Sequence, residues 1–205
     1  DGLVMDLRAN GGGHLSEATE LSGLFIDRGP VVQLRETRGT IQQLDDPSPG
    51  AVYTGPMGVL VDRYSASASE IFAAAIQDYD RGVIIGQQTF GKGTVQNLFP
   101  LDRLMRGTDN GQLTLTIGKY YRVTGESTQH RGVLPDIELP SSVDPATVGT
   151  WDVEGGATNI NRSNLRSART VIVVRNTRFS EKRIDLRNVV YFASVTAVAV
   201  VASTY

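Results

Sequence analysis

Three serines alternate with alanines in the stretch YSASASEI, residues 64–71, between an apolar run ending near Asp62 and a helical pattern beginning near Ala68. A serine at a strand-to-helix junction has its hydroxyl at the positive end of the helix dipole, beside backbone N–H groups that lack helical partners. Those groups can receive an oxyanion. The same position suits a plain N-cap, for which serine is favoured, so this segment alone leaves both roles open.

A lysine supplies the second candidate. In TFGKGTVQ, residues 89–96, Lys92 lies between two glycines, so the backbone can approach it from both sides and neighbouring side chains do not screen it. If the chain runs extended from there, period two places Lys92, Thr94 and Gln96 on one face, where the Gln96 carbonyl can accept from the amine and orient it. A solvated turn lysine is the competing reading. The spacing from Gly86 to Gly91-Lys92 also imitates the start of a phosphate-binding loop, but Gly93 stands where that loop needs Ser or Thr. The β-prone residues 94–99 offer no helix N-terminus for a phosphate either. A third element, DLRANGGG at residues 6–13, runs from a strand into glycines whose bare N–H groups could donate to an oxyanion or merely serve a tight turn.

The elements that must carry these groups alternate. Residues 3–7 read as a strand, 15–25 as a helix with Ala18, Leu21 and Phe25 on one face, and 31–34 as a short strand. Residues 36–50 read as a polar, turn-rich stretch in which 45–50 is a loop, 58–62 as a buried strand, 68–79 as a helix and 83–86 as a strand. Residues 112–123 read as a long strand with period-two alternation at Leu113, Leu115 and Ile117. Strands alternating with helices indicate an α/β fold.

The 205 residues bound this at one domain, or one domain with an appendage, and 40% apolar residues suffice for a core. Twenty basic against 22 acidic side chains lack the excess of a general nucleic-acid binder, so no nucleic-acid partner is expected. The absence of cysteine removes disulfides, thiol nucleophiles, zinc knuckles and iron–sulfur sites, and leaves the redox compartment open. His14 and His130, the two histidines, fit no metal-ligand spacing, and no metal or cofactor is expected. Composition changes near residue 150. All eight prolines and 20 of the 22 glycines precede that point, with 12 basic and 18 acidic side chains; residues 151–205 carry eight basic and four acidic. The apolar run 189–202 falls short of the ~20 residues of a membrane-spanning helix and reads as a buried strand pair or core segment.

Taken together, LRANGGG, VDRYSASASEIFAAAIQDY, GQQTFGKGTVQ and KYYRVTGESTQHRGVLPDIELP, in this order, resemble the carboxyl-terminal processing (tail-specific) proteases, serine peptidases of the Ser-Lys type. The resemblance covers roughly residues 1–140. It implies a crotonase/Clp-protease-like α/β core with a mixed sheet and flanking helices, incomplete at its N-terminus. It also implies a serine endopeptidase acting near protein carboxyl termini. By the same resemblance Ser67 is the nucleophile, Lys92 the general base and Gln96 a third member in some relatives. Ala68 N–H and a glycine N–H, Gly13 with Gly12 in reserve, form the oxyanion hole, and Asp78 gives structural support. The chemistry is consistent, because a lysine whose unperturbed pKa is ~10.4 becomes a base only when desolvated.

The resemblance further implies unstructured protein carboxyl termini or peptides as partners and a bacterial periplasmic or envelope location, although no targeting signal lies in this chain. A PDZ domain, absent here, is expected in the full-length protein, since a chain that opens inside a strand reads as a fragment. Residues 1–145 are the expected peptidase core. Residues 146–205 are a tail not matched to the family: a divergent end, an interaction segment or translated out-of-frame sequence. The competing classes are a catalytically silent peptide-binding module and a scaffold in a larger envelope complex. Oligomeric state and natural substrates do not follow from the sequence.

Overall fold

The computed structural model describes residues 2–101, 111–144 and 147–149, together with the backbone of 170–175 and 197–202. Short, nearly continuous apolar runs make three parallel strands in which burial alternates along the chain: β1 (Leu3–Asp6), β4 (Met57–Val61) and β5 (Val83–Gly86). Their registers align Met5 with Val59 and Val59 with Ile84, all three fully buried. β8 (Ile137–Glu138) extends this sheet in parallel beyond β5. Helices α1 (Leu15–Gly23) and α2 (Ala68–Asp78) share one core cluster with the inward residues of these strands.

Phe72 and Ile76 on α2 are fully buried, each contributing about 1.5–3 kcal/mol of apolar burial. Phe25 packs edge-on against the Phe72 ring, centroids 5.8 Å apart. A second, antiparallel sheet runs β3 (Ile41–Asp45), β2 (Pro30–Glu36), β7 (Gln112–Tyr121), β6 (Thr94–Pro100). The fold is therefore a mixed α/β core, as the alternation of elements predicted.

Three expectations need correction. The first helix stops at Gly23, so Phe25 reaches the core from the turn after it. The turn-rich stretch 36–50 holds a strand ahead of its loop: a turn closed by Gly39 N donating to Glu36 O at 2.9 Å returns the chain as β3. That strand lies at the sheet edge and is almost wholly exposed, so its polar composition carried no alternation to read. Finally, β7 ends at Tyr121, short of residue 123, and its alternating Leu113 and Leu115 are each 44% exposed. Val95 pairs with Gly118 but the next residue, Gln96, with Thr116, so Ile117 is an extra residue that breaks the β7 period.

Of the apolar run 189–202, Ala197–Ala202 form β10, parallel to β9 (Thr170–Arg175). β9 in turn pairs antiparallel with β1. The rest of that run, and the composition change near residue 150, lie outside the described residues.

Candidate active site

The chain leaving β4 is folded back by Asp62, whose Oδ1 accepts from the N–H groups of Ala9 (2.9 Å), Tyr64 (2.9 Å) and Ser65 (3.0 Å). This brings the three serines against the glycine loop with different duties. Ser65 Oγ donates to Leu7 O at 2.8 Å and Ser69 Oγ to Asn10 O at 3.1 Å, both side chains fully buried. Ala66 N–H adds a bond to Asn10 O at 2.9 Å. Ser65 and Ser69 thus hold the loop in place.

Ser67 sits between them at the N-cap of α2 with φ 59° and ψ −117°. L-residues avoid that conformation, at a cost of about 1–3 kcal/mol. A sharp strand-to-helix turn of this kind lifts a serine clear of its strand and over the helix N-terminus, the presentation that a nucleophile needs.

The glycine loop lies over the same helix end. Gly12 has φ 93°, and a Cβ there would stand 2.5 Å from Ala66 O and 2.7 Å from Ala68 N. Its own N–H is committed to Asn10 Oδ1 at 2.9 Å. By contrast, the N–H groups of buried Ala68 and of exposed Gly13 have no acceptor among the described residues. Ala68 N–H is thus an open donor at the Ser67 turn, the bare Cα of Gly12 leaves it uncovered, and the open donor Gly13 follows Gly12 in the chain. Gly12→Ala is expected to lower kcat about 10²–10³-fold, the loss associated with a missing oxyanion donor. Gly13→Ala, which keeps the N–H at a residue without positive φ, should stay near the parent rate. Steady-state kinetics beside thermal melts of the two variants check this.

Lys92 reaches the serine turn through a residue that the sequence reading passed over. Glu70, fully buried, accepts four hydrogen bonds. Its Oε1 takes Thr89 Oγ1 (2.5 Å) and Gly91 N–H (2.7 Å), and its Oε2 takes Ser67 N–H (2.8 Å) and Lys92 N–H (2.9 Å). The amides of Ser67 and Lys92 thus converge on one oxygen atom. The buried Tyr120 hydroxyl closes the other side, donating to Lys92 O with Ser67 O 3.2 Å away. Gly91, at φ 88°, lets the chain cross the 128–132 turn, because a Cβ would lie 2.7 Å from His130 O.

The signal for Glu70 was present as Ser67-x-x-Glu70, the spacing of a capping box in which the glutamate returns to the N-cap amide. Burial pushes the Glu70 carboxyl up to about 7, against the opposing effect of its four donors. Burial lowers the Lys92 ammonium from 10.5, partly offset by the Glu70 charge. Among the described residues no carboxylate forms an ion pair with Lys92.

The remaining sequence candidates lie apart from this cluster. Gln96 is exposed on β6, and no hydrogen bond joins it to Lys92. Asp78 accepts from Arg122 Nη2 at 2.5 Å and Nε at 3.1 Å, with both side chains largely buried, and so ties the end of α2 to the chain after β7. Gly86 and Gly91, which imitated a phosphate loop, are followed by strand β6 and not by a helix.

Residues 1–139 match the family described as Peptidase family S41. The chain is 44% identical over 190 residues to the tail-specific protease of Haemophilus influenzae, covering 86% of this chain and 27% of that protein. It is 38% identical over 160 residues to the carboxy-terminal-processing protease of Bartonella bacilliformis, covering 78% and 35%. The solved photosystem II D1 C-terminal processing protease superposes with a TM-score of 0.56 at 35% identity, over 70% of this chain and 35% of that one. The chain thus spans about a third or less of the length of these relatives. The alignment to the Haemophilus protein takes in more of the chain than residues 1–139, and so part of the segment 146–205.

Proposed function

Because the chain belongs to peptidase family S41, we propose that it is the catalytic core of a serine endopeptidase that cleaves polypeptides near their carboxyl termini through Ser67 and Lys92. The observation that carries this reading is the shared acceptor, Glu70 Oε2, which binds the amides of both residues. Neutral Lys92 takes the Ser67 hydroxyl proton as Oγ bonds to the scissile carbonyl carbon. Ala68 and Gly13 N–H hold the oxyanion. The C–N bond then breaks as the Lys92 ammonium returns the proton to the leaving amine, and water hydrolyses the acyl-enzyme with Lys92 again as base.

Gln96 is the third member implied by the family resemblance, whereas in the free chain Glu70 holds the Lys92 turn. Asp78 supports the fold through Arg122. The partners we assign are unstructured protein carboxyl termini, with a PDZ domain elsewhere in the complete protein, in the bacterial envelope. Reaction with a fluorophosphonate, mapped by mass spectrometry, tests the reading. An adduct on Ser67 supports it; peptide binding without an adduct would return the silent binding module.

The buried carboxylate makes the rate pH-dependent. Each Glu70 oxygen already accepts two donors, so a proton on either displaces one of them. The groups facing it are Lys92, Arg63 on the β4–α2 turn and Tyr120 on β7, the first two cationic. We expect kcat/KM to rise through about pH 7 as Glu70 ionises and to go on rising into the alkaline range as Lys92 loses its proton. Stability should run the other way. A carboxyl raised from 4.5 to about 7 contributes most below its unfolded value, and that contribution is lost as pH rises through about 7. A pH–rate profile set against melting temperatures separates the two trends, and Glu70→Gln should remove the lower ionisation.

A further inference from the structure

Among the described residues β6 is an outer strand, paired only with β7. Two hydrogen bonds fix which of its backbone groups face that partner: Tyr120 N–H to Gly93 O and Leu101 N–H to Gly111 O, both 3.0 Å. The extra residue of the bulge lies on β7, so alternation along β6 is unbroken between these bonds. Residues 95, 97 and 99 therefore face β7, and Thr94, Gln96 and Leu98 turn their N–H and C=O groups to the open edge. No backbone pairs with that edge among the described residues.

Native proteins usually protect such an edge with charge, yet Thr94–Pro100, TVQNLFP, carries none. Leu98 is 64% exposed and Phe99 40%. Only Pro100, which has no N–H, closes the row at its far end. The open row begins two residues beyond Lys92, on the strand that continues directly from the Lys92 turn and its Glu70 clamp.

We propose that the polypeptide substrate binds as an added strand on the open edge of β6, pairing with the backbone of Thr94, Gln96 and Leu98, with apolar side chains set against Leu98 or Phe99. This rests on the peptidase reading above. Strand addition draws affinity from main-chain bonds, so it accepts varied sequences provided the segment is unfolded.

The test uses the complete protein and a synthetic peptide substrate N-methylated at one amide at a time. KM is expected to rise roughly tenfold or more at alternate positions and to change little between them, since each methyl removes a donor only where it faces β6. Leu98→Pro, which removes an outward N–H and no bond to β7, should raise KM for the unmodified peptide while the rate of fluorophosphonate labelling at Ser67 stays unchanged. A KM profile without period two, or unchanged KM in Leu98→Pro, overturns strand addition while labelling leaves the peptidase reading standing. Absence of labelling in the parent protein overturns that reading, and the proposal with it.

Discussion

Ser67→Ala in the complete protein is expected to lower kcat for an unstructured substrate by about 10⁴–10⁶-fold, the loss seen when a serine peptidase gives up its nucleophile. The fold should survive, because the bonds of Ser67 that organise the turn are made by its backbone: its N–H to Glu70 Oε2 and its O near the Tyr120 hydroxyl. Ser65→Ala should behave in the opposite way. Its hydroxyl donates to Leu7 O, which keeps a bond from Asn10 N–H, and accepts from Asp62 N–H at 3.0 Å, so its loss leaves Asp62 N–H without that acceptor and costs about 1–3 kcal/mol of stability. Below its lowered melting temperature the Ser65 variant should still cleave. Kinetics and thermal melts on the pair decide the matter, and an active Ser67→Ala beside an inactive, folded Ser65→Ala would move the nucleophile.

Lys92→Arg is expected to be as inactive as Lys92→Ala. The arginine keeps the positive charge, but a guanidinium stays protonated above ~pH 12 and cannot take the Ser67 proton. Lys92 is partly buried, and that burial lowers its ammonium toward the neutral form, a route closed to arginine. Neither substitution removes the Lys92 N–H bond to Glu70 or the carbonyl bond from Tyr120, so loss of folding does not explain a dead enzyme. Circular dichroism on both variants, with cleavage followed up to alkaline pH, is the measurement. Substantial turnover by Lys92→Arg would make the lysine a fixed charge and send the search for the base elsewhere.

Much of this was legible before the fold was known, for reasons that can be stated residue by residue. Apolar runs at 3–7, 58–62 and 83–86 marked the parallel strands, because strands buried beneath helices are apolar along most of their length. The serine stretch and Lys92 were local patterns, read over a few residues, and the choice of Ser67 among three serines came from the family resemblance. β3 was invisible because an exposed edge strand places no constraint on side-chain polarity. The alternation at Leu113 and Leu115 marked no buried face because residues 112–116 of β7 are exposed on both faces, and what covers a strand is set by other segments.

The amino-acid sequence by itself determined the order of the buried parallel strands and the two helices, offered Ser67 and Lys92 as candidates, and held an acidic residue at capping distance from Ser67. Only the tertiary structure decided how these meet. Glu70 begins as a local cap and becomes the joint between two turns, because α2 buries it where Thr89, Gly91 and Lys92, about twenty residues later, present their donors. The same packing separated the serines, giving Ser65 and Ser69 to the glycine loop and leaving Ser67 in a strained turn. It also committed Gly12 N–H to Asn10 while leaving Ala68 and Gly13 open. Which donor is used up depends on partners distant in the chain, and hydrogen-bond accounting of that kind closes only in three dimensions.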